Sequence, residues 1–465
     1  MYGIILLAVY AIFMMAVTLI FTKREKNALR FHVADRNIGP IAAALSIAAT
    51  WIWAPSLFIA SEKAYTSGLP GLFWFTVPNI LCLMVFIPFA KIIRRKFPEG
   101  ITLSGYMENT YRSGKVKGIY VFQLGALAVC SVGVQLLAGS MILSMVTGIP
   151  FWVMTIILSA IAYSYSQFSG IRASITTDVI QMLLILATMA LIVPWLMSQT
   201  EGVATLAKGL GGISGGFATL NGVSGAEVFF GFGLPTAIGL LAGPFGDQSF
   251  WQRAFVTKEK AIGKAFFIGA LVFGIVPISM GMIGYIAAGT GFIASNTGMV
   301  NFELICAMLP KWVVVPFLLM IISGLVSTVD SNLCSAASLS TDVATRGKLN
   351  DAKNIRVSKM VMLGLLVAGI GIANIPGITV TLLFLFYGTL RASTLLPTVM
   401  TLIGKKLTAN GVFIGILVSL CVGLPIFGYG NITGDAMFKT IGSLATVLMS
   451  GILAVLISRK GVQKA

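Results

Sequence analysis

Ala49-Thr50-Trp51-Ile52-Trp53-Ala54-Pro55-Ser56 interrupts an apolar segment of membrane length, residues 39–63. A plain spanning helix has no use for Pro55 beside polar Thr50 and Ser56 at mid-depth. Proline removes an amide donor and clashes with a carbonyl one turn back, so carbonyls near Ile52 lose their partners. In hydrocarbon such groups persist only where protein, water or a bound ion satisfies them. Two readings stand side by side: a kink that shapes helix packing, or half of a site that holds an ion and a solute. The rest of the chain has to choose between them.

Of the 465 residues, 57% are hydrophobic and only 10% are charged. Soluble domains carry roughly 25% charged residues, so this is an integral membrane protein. The apolar runs approach or exceed the ~20 residues a spanning helix needs. Ten-residue alternating segments, the mark of an outer-membrane barrel, are absent from the pattern. We read thirteen spans: a lead helix at 2–22, ten core helices at 39–61, 69–92, 118–147, 150–168, 173–197, 225–244, 261–288, 312–343, 358–375 and 378–403, and two more at 408–428 and 440–458. The lead span lacks the basic region and small-residue cleavage site of a signal peptide.

A net charge of +17 raises the question of nucleic acid, but the placement of the charges answers it differently. With the amino terminus outside, alternate loops facing the cytoplasm hold 27 of the 32 Lys and Arg, Arg253 among them. Lys63, Lys208, Lys311 and Lys439 lie on the other side, and Arg391 falls inside a span. This asymmetry follows the positive-inside rule and predicts a multi-pass protein of the cell membrane with an outside amino terminus and a cytoplasmic carboxy terminus. The five cysteines have no metal spacing and read as core residues, and His32 reads as solvated in a basic linker. No phosphate loop, catalytic carboxylate pair or nucleophile triad is visible, so the chain is not read as an enzyme and no cofactor is expected.

Ionisable groups at membrane depth are costly and mark pathways or sites. Asp342 lies near a span end beside Arg346, where solvation accounts for it, which leaves Asp178, Asp330 and Arg391. The span at 312–343 carries Gly324, Ser327, Thr328 and Asp330, a compact set of oxygens suited to a monovalent cation or to helix–helix contact. The span at 225–244 is interrupted by Pro235, Gly239, Gly243 and Pro244, much as Pro55 interrupts the first core helix. These are core helices one and six. Interrupted segments at corresponding positions of two halves point to an inverted repeat with its site between them.

Several motifs resemble one family, the sodium:solute symporters. Ser327-Thr328-Val329-Asp330-Ser331 is similar to the family's run in core helix eight. Gly170 to Gln181, with Ala173, Thr177 and Asp178, resembles its signature opening core helix five. Phe245 to Arg253 resembles the loop that follows core helix six. The urea-transporter-type branch is nearest, through Thr50-Trp51-Ile52-Trp53-Ala54, Gly71 to Phe75 and Asp247 to Gln252. Arg391 departs from that branch, where an apolar residue is expected.

The resemblance implies an all-α membrane fold with a 5+5 inverted repeat of the leucine-transporter type. Its parts would be 1–38 (lead helix and linker), 39–200 and 201–404 (the two repeats) and 405–465 (two helices and a tail). It implies a sodium site built from the Ala49, Ile52 and Gly324 carbonyls and the Ser327 and Thr328 hydroxyls, with Asp178 in cation handling. Asp178 alternatively reads as a helix start bathed in cytoplasmic water. Leu240 to Gly243, where the sugar branch has polar contacts, are apolar or small and argue against a sugar. Trp53, Ser56, Phe75, Gln135, Tyr387, Thr389 and Arg391 are candidate solute-lining residues. For Arg391 an Asp330 partner, a solute anion or a watery cavity are weighed, with the Asp330 pair preferred. The function expected is Na⁺-coupled uptake of a small polar solute by alternating access. Alternatives are an H⁺-coupled symporter of a small organic anion and a passive facilitator. The partners are the solute, the sodium ion and the bilayer, with no nucleic acid.

Overall fold

The computed structural model describes residues 2–344 and 350–462. Among them the secondary structure is helical, and the one β-pairing is an isolated bridge between Ile38 and Thr257. The Asp342–Arg346 reading lies outside the side chains described. Among the described residues, twelve helices are long and apolar enough to cross a membrane. Ala54–Lys96 runs for 43 residues and bends at Gly68, whose φ is 55°. It therefore joins the outer half of core helix one to the whole of core helix two, and with Pro40–Trp51 as the inner half the thirteen-crossing reading is recovered.

Both expected interruptions exist: Gly243 and Pro244 lie inside theirs, whereas Pro55 and Pro235 stand in helix beside the breaks. Core helix one breaks at Ile52 and Trp53, between Pro40–Trp51 and Ala54–Lys96. Pro55 stands in the first turn of the outer half, where the missing amide would have had no partner anyway. Core helix six runs through Pro235 in Leu234–Leu241, opens over residues 242–247, and resumes as Gln248–Val256. The stretch after Phe245 is thus the second half of the helix rather than a loop. Every residue of Gln248–Val256 is buried, Arg253 included, so Arg253 is not one of the solvated cytoplasmic cations.

Packing sorts the helices into a centre and a rim. In Gly114–Thr147 and Lys311–Thr341, core helices three and eight, 83% and 72% of the most apolar stretch is covered by protein. In the lead helix and in Asp351–Ala373 the share is 28%, leaving Ile12, Ile20, Met360 and Val367 facing outward as lipid contacts. Small residues permit the closest approaches, as expected where lipid supplies no hydrophobic drive between helices. Along Ile262–Thr290, a methyl on Gly284 would meet the Ser61 carbonyl at 2.3 Å and one on Gly269 the Ala44 carbonyl at 3.0 Å.

The linker between the lead helix and core helix one is also packed. Asn27 caps Ala28–Val33 by accepting from the Arg30 amide at 2.9 Å, and the helix stops at left-handed Ala34. His32 is 1% exposed, edge-on to Phe31, with Nε2 3.4 Å from the Ser358 hydroxyl. The solvated reading of this residue is therefore corrected: apolar neighbours hold it, and burial lowers its pKa to about 4.

Candidate ion and solute site

The helix-one break frees the Thr50 and Ile52 carbonyls, and core helix eight brings hydroxyls to them. The Ser327 hydroxyl donates to the Ala49 carbonyl at 3.0 Å and lies 3.1 Å from that of Gly324. The Thr328 hydroxyl stands 3.3 Å from the Thr50 carbonyl and 3.2 Å from those of Ile52 and Gly324. Gly324 lets the helices meet, since a methyl there would lie 2.9 Å from Leu57 Cδ1 and 3.2 Å from Ile52 Cγ2. Five of the six residues expected around sodium thus converge on one point, offering neutral oxygens only.

Asp178, the sixth, belongs to a neighbouring polar cluster. Its Oδ2 accepts from Arg253 Nη2 at 3.0 Å and from the Ser46 hydroxyl at 2.6 Å, with no solvent exposure. The water-bathed helix start is therefore overturned. Arg253 also donates to Ser331 Oγ at 2.6 Å. Ser331 lies 3.0 Å from the Thr50 hydroxyl, which ties this cluster to the helix-one break. Asp330 accepts from the hydroxyls of Tyr165 and Ser174, both at 2.7 Å, and of Thr177 at 3.3 Å.

Arg391 does not pair with Asp330, and the preferred reading is corrected. Its Nη2 reaches Asp247 Oδ2 at 3.4 Å, because Gly246 in the helix-six opening packs on the Arg391 backbone. The guanidinium lies 5.0 Å from the Trp51 ring centre and 4.7 Å from those of Trp53 and Tyr387. Trp51 and Trp53 stack at 4.8 Å, and Gly243 gives Trp51 its room. The arginine thus sits between the two helix breaks, in an aromatic cage.

The other candidate lining residues divide. Phe75 joins the apolar wall through Phe384 at 5.9 Å. Gln135 is committed to the backbone, its Oε1 accepting from the Ala54 amide at 2.6 Å and so capping the outer half-helix. Ser56 is fully buried, its hydroxyl 3.5 Å from the Trp51 carbonyl. Thr389 is buried without a partner, two positions from both Tyr387 and Arg391 and hence on another side of the helix.

A broken helix whose freed carbonyls face hydroxyls from core helix eight is an arrangement found in secondary transporters, and comparison with known proteins identifies the family. The family model described as "Sodium:solute symporter family" matches residues 31–419. The chain belongs to the sodium:solute symporter family. Its apolar helices make it a multi-pass membrane protein of that family.

Among its relatives is a urea-proton symporter of Oryza sativa, 21% identical over 90% of this chain and 65% of the relative. A urea active transporter of Saccharomyces cerevisiae is 24% identical over 86% and 59%. The chain spans less than two thirds of the length of either urea relative. A sodium/pantothenate symporter of Haemophilus influenzae is 24% identical over 95% of both chains. A Na⁺-coupled sialic acid symporter superposes with a TM-score of 0.77 over 98% of both chains at 20% identity, which establishes the leucine-transporter-type fold.

Several residues of this symporter-family site were not singled out from the sequence: Arg253 and Asp247 as charged partners, Trp51 as a cage wall, and Tyr165, Ser174 and Ser46 as carboxylate donors. One signal was present for the first two. Asp247 stands directly before a helix, as an N-cap does, and Phe250, Trp251, Ala254, Phe255 and Val256 surround Arg253 with apolar residues that a cytoplasmic loop would not carry.

Proposed function

We propose that this chain couples the downhill entry of Na⁺ to the uptake of a small polar solute, with the amino terminus outside and the carboxy terminus in the cytoplasm. The observation that carries the reading is the convergence of the Ala49, Ile52 and Gly324 carbonyls on the Ser327 and Thr328 hydroxyls. Unwound carbonyls facing side-chain oxygens suit a monovalent ion that must later leave. On Na⁺ entry the two hydroxyl hydrogens would rotate away and present their oxygens. Because this contact joins core helix one to core helix eight, ion binding would bias the two helix sets toward one of their arrangements.

The test is made in proteoliposomes with a solute panel that includes urea, small amides and small carboxylates. An inward Na⁺ gradient at constant pH should drive accumulation, while choline or K⁺ should not. Accumulation driven by a pH step in the absence of Na⁺ would overturn sodium coupling.

That outcome is the second reading, and Asp330 favours it. The carboxylate is fully buried, is held by hydroxyls, and has no Lys or Arg within ion-pair distance among the described residues. A proton is the smallest cation that could neutralise it there.

A further inference from the structure

The aromatic cage around Arg391 has a hydrogen-bonding character of its own. A guanidinium carries five N–H donors in a planar fork. Here Nη2 has the long 3.4 Å contact to Asp247, whereas Nε and Nη1 have no partner, although the side chain is 1% exposed. Trp53 Nε1 and the Tyr387 hydroxyl, on two of the three cage walls, are likewise buried and unpartnered. Three of these four atoms can only donate, and the fourth can donate. Leaving donors unmade in an apolar interior is expensive, so the cage is built for something that brings acceptors.

Asp247 does not play that part fully. Its Oδ1 accepts from the Ser249 amide at 2.8 Å and caps Gln248–Val256, so a helix amino terminus holds the carboxylate independently of Arg391. Its grip on the arginine is the single long contact, which leaves one edge of the fork open. A neutral amide or urea entering the cage would add N–H groups where donors are already in surplus. A carboxylate brings acceptors alone and matches the fork two-to-two.

We propose that Arg391 anchors the solute and that the solute is a small organic monocarboxylate, its anion accepting from the guanidinium N–H groups left without a partner and its body against Trp51, Trp53 and Tyr387. This rests on the symporter reading only in placing the solute between the two helix breaks. The approach is from the side of the outer half-helix. A cavity of about 280 Å³ is lined by Phe58, Glu62 and Thr381, which lie outward of Trp53 and Tyr387 along the same two helices. Lys63 pairs with Glu62 at 3.0 Å and offsets its charge there. Phe384 packs edge-on to Trp53 at 5.5 Å and to Tyr387 at 6.1 Å, and in this proposal its ring swings for the anion to enter.

The test uses the purified full chain in nanodiscs, following tryptophan fluorescence and melting temperature. Propanoate, pyruvate and longer straight-chain carboxylates up to hexanoate are titrated against propanamide and urea, each in Na⁺ and in choline buffer. At least one carboxylate should bind saturably and at least tenfold more tightly than its matched amide. Arg391→Lys should weaken that binding about tenfold, because an ammonium cannot reproduce the fork, and Arg391→Gln should abolish it. If Arg391→Gln does not fold, the carboxylate–amide comparison in the wild type still decides. Equal binding of amide and carboxylate, no carboxylate binding at all, or wild-type binding in Arg391→Lys overturns the inference. Melting that responds to Na⁺ with no response to carboxylates defeats this proposal and leaves sodium coupling standing. Carboxylate binding identical in Na⁺ and choline does the reverse.

Discussion

Arg253 Nη2 stands 3.0 Å from Asp178 Oδ2, and neither side chain is more than 1% exposed. The contact locks the second half of core helix six to core helix five, and the same guanidinium reaches Ser46 on helix one and Ser331 on helix eight. Four helices therefore meet on one cation beside the candidate sodium site.

Removing one member of such a pair strands the other charge in the interior. Arg253→Leu should cost about 3–5 kcal/mol and sharply lower the yield of folded protein. Adding Asp178→Asn should restore part of the loss, and a melting comparison of the single and double variants measures the coupling. Equal losses in both would show that Arg253 acts by packing alone.

Ser327→Ala with Thr328→Ala deletes two hydroxyls that here bond only to carbonyls. The fold should lose about 1–3 kcal/mol, while the dependence of melting temperature on Na⁺ concentration should disappear. Unchanged sodium affinity in the double variant would remove these oxygens from the ion site.

Gly324→Ala tests the close approach of helices one and eight. The new methyl would press on Leu57 Cδ1 at 2.9 Å and Ile52 Cγ2 at 3.2 Å, tilting the Ile52 carbonyl away from Thr328. A loss of about 1–3 kcal/mol is expected, with weaker Na⁺ stabilisation. Ser substitution at the exposed Gly364, where a side chain would meet nothing within 4 Å, is the matched control.

His32 gives the linker an acid-side sensitivity. Burial lowers its pKa from the ordinary 6.5 to about 4, so the unfolded chain takes up the proton first as pH falls. Stability is therefore complete above pH 6.5 and declines between 6.5 and 4, by at most roughly 3 kcal/mol. Melting curves over this range should show the slope in the wild type and a shallower one in His32→Gln.

Much of the architecture was legible because the bilayer imposes it. Span lengths and the interruption of core helices one and six follow from the cost of bare polar groups in hydrocarbon. The sodium candidates were legible for a local reason: Ala49 and Ile52 flank one break, and Gly324, Ser327 and Thr328 share a face of one helix. Pro55 and Pro235 drew attention to the right helices but stand beside the breaks, whereas Gly243 and Pro244 lie within the one at 242–247.

What the sequence by itself determined is the class of the molecule: an all-helical membrane protein with two interrupted helices and a cluster of neutral oxygens. Which charges meet was decided only by the tertiary structure. Arg391 lies 61 positions from Asp330 and 144 from Asp247, and nothing along the chain ranks the two. The choice was made where Gly246 lets the helix-six opening lie against the Arg391 backbone, and where Tyr165, Ser174 and Thr177 had already satisfied Asp330. A buried charge takes the partner that the packing of small residues brings within reach, and that packing is a property of helix surfaces in contact, not of any one segment.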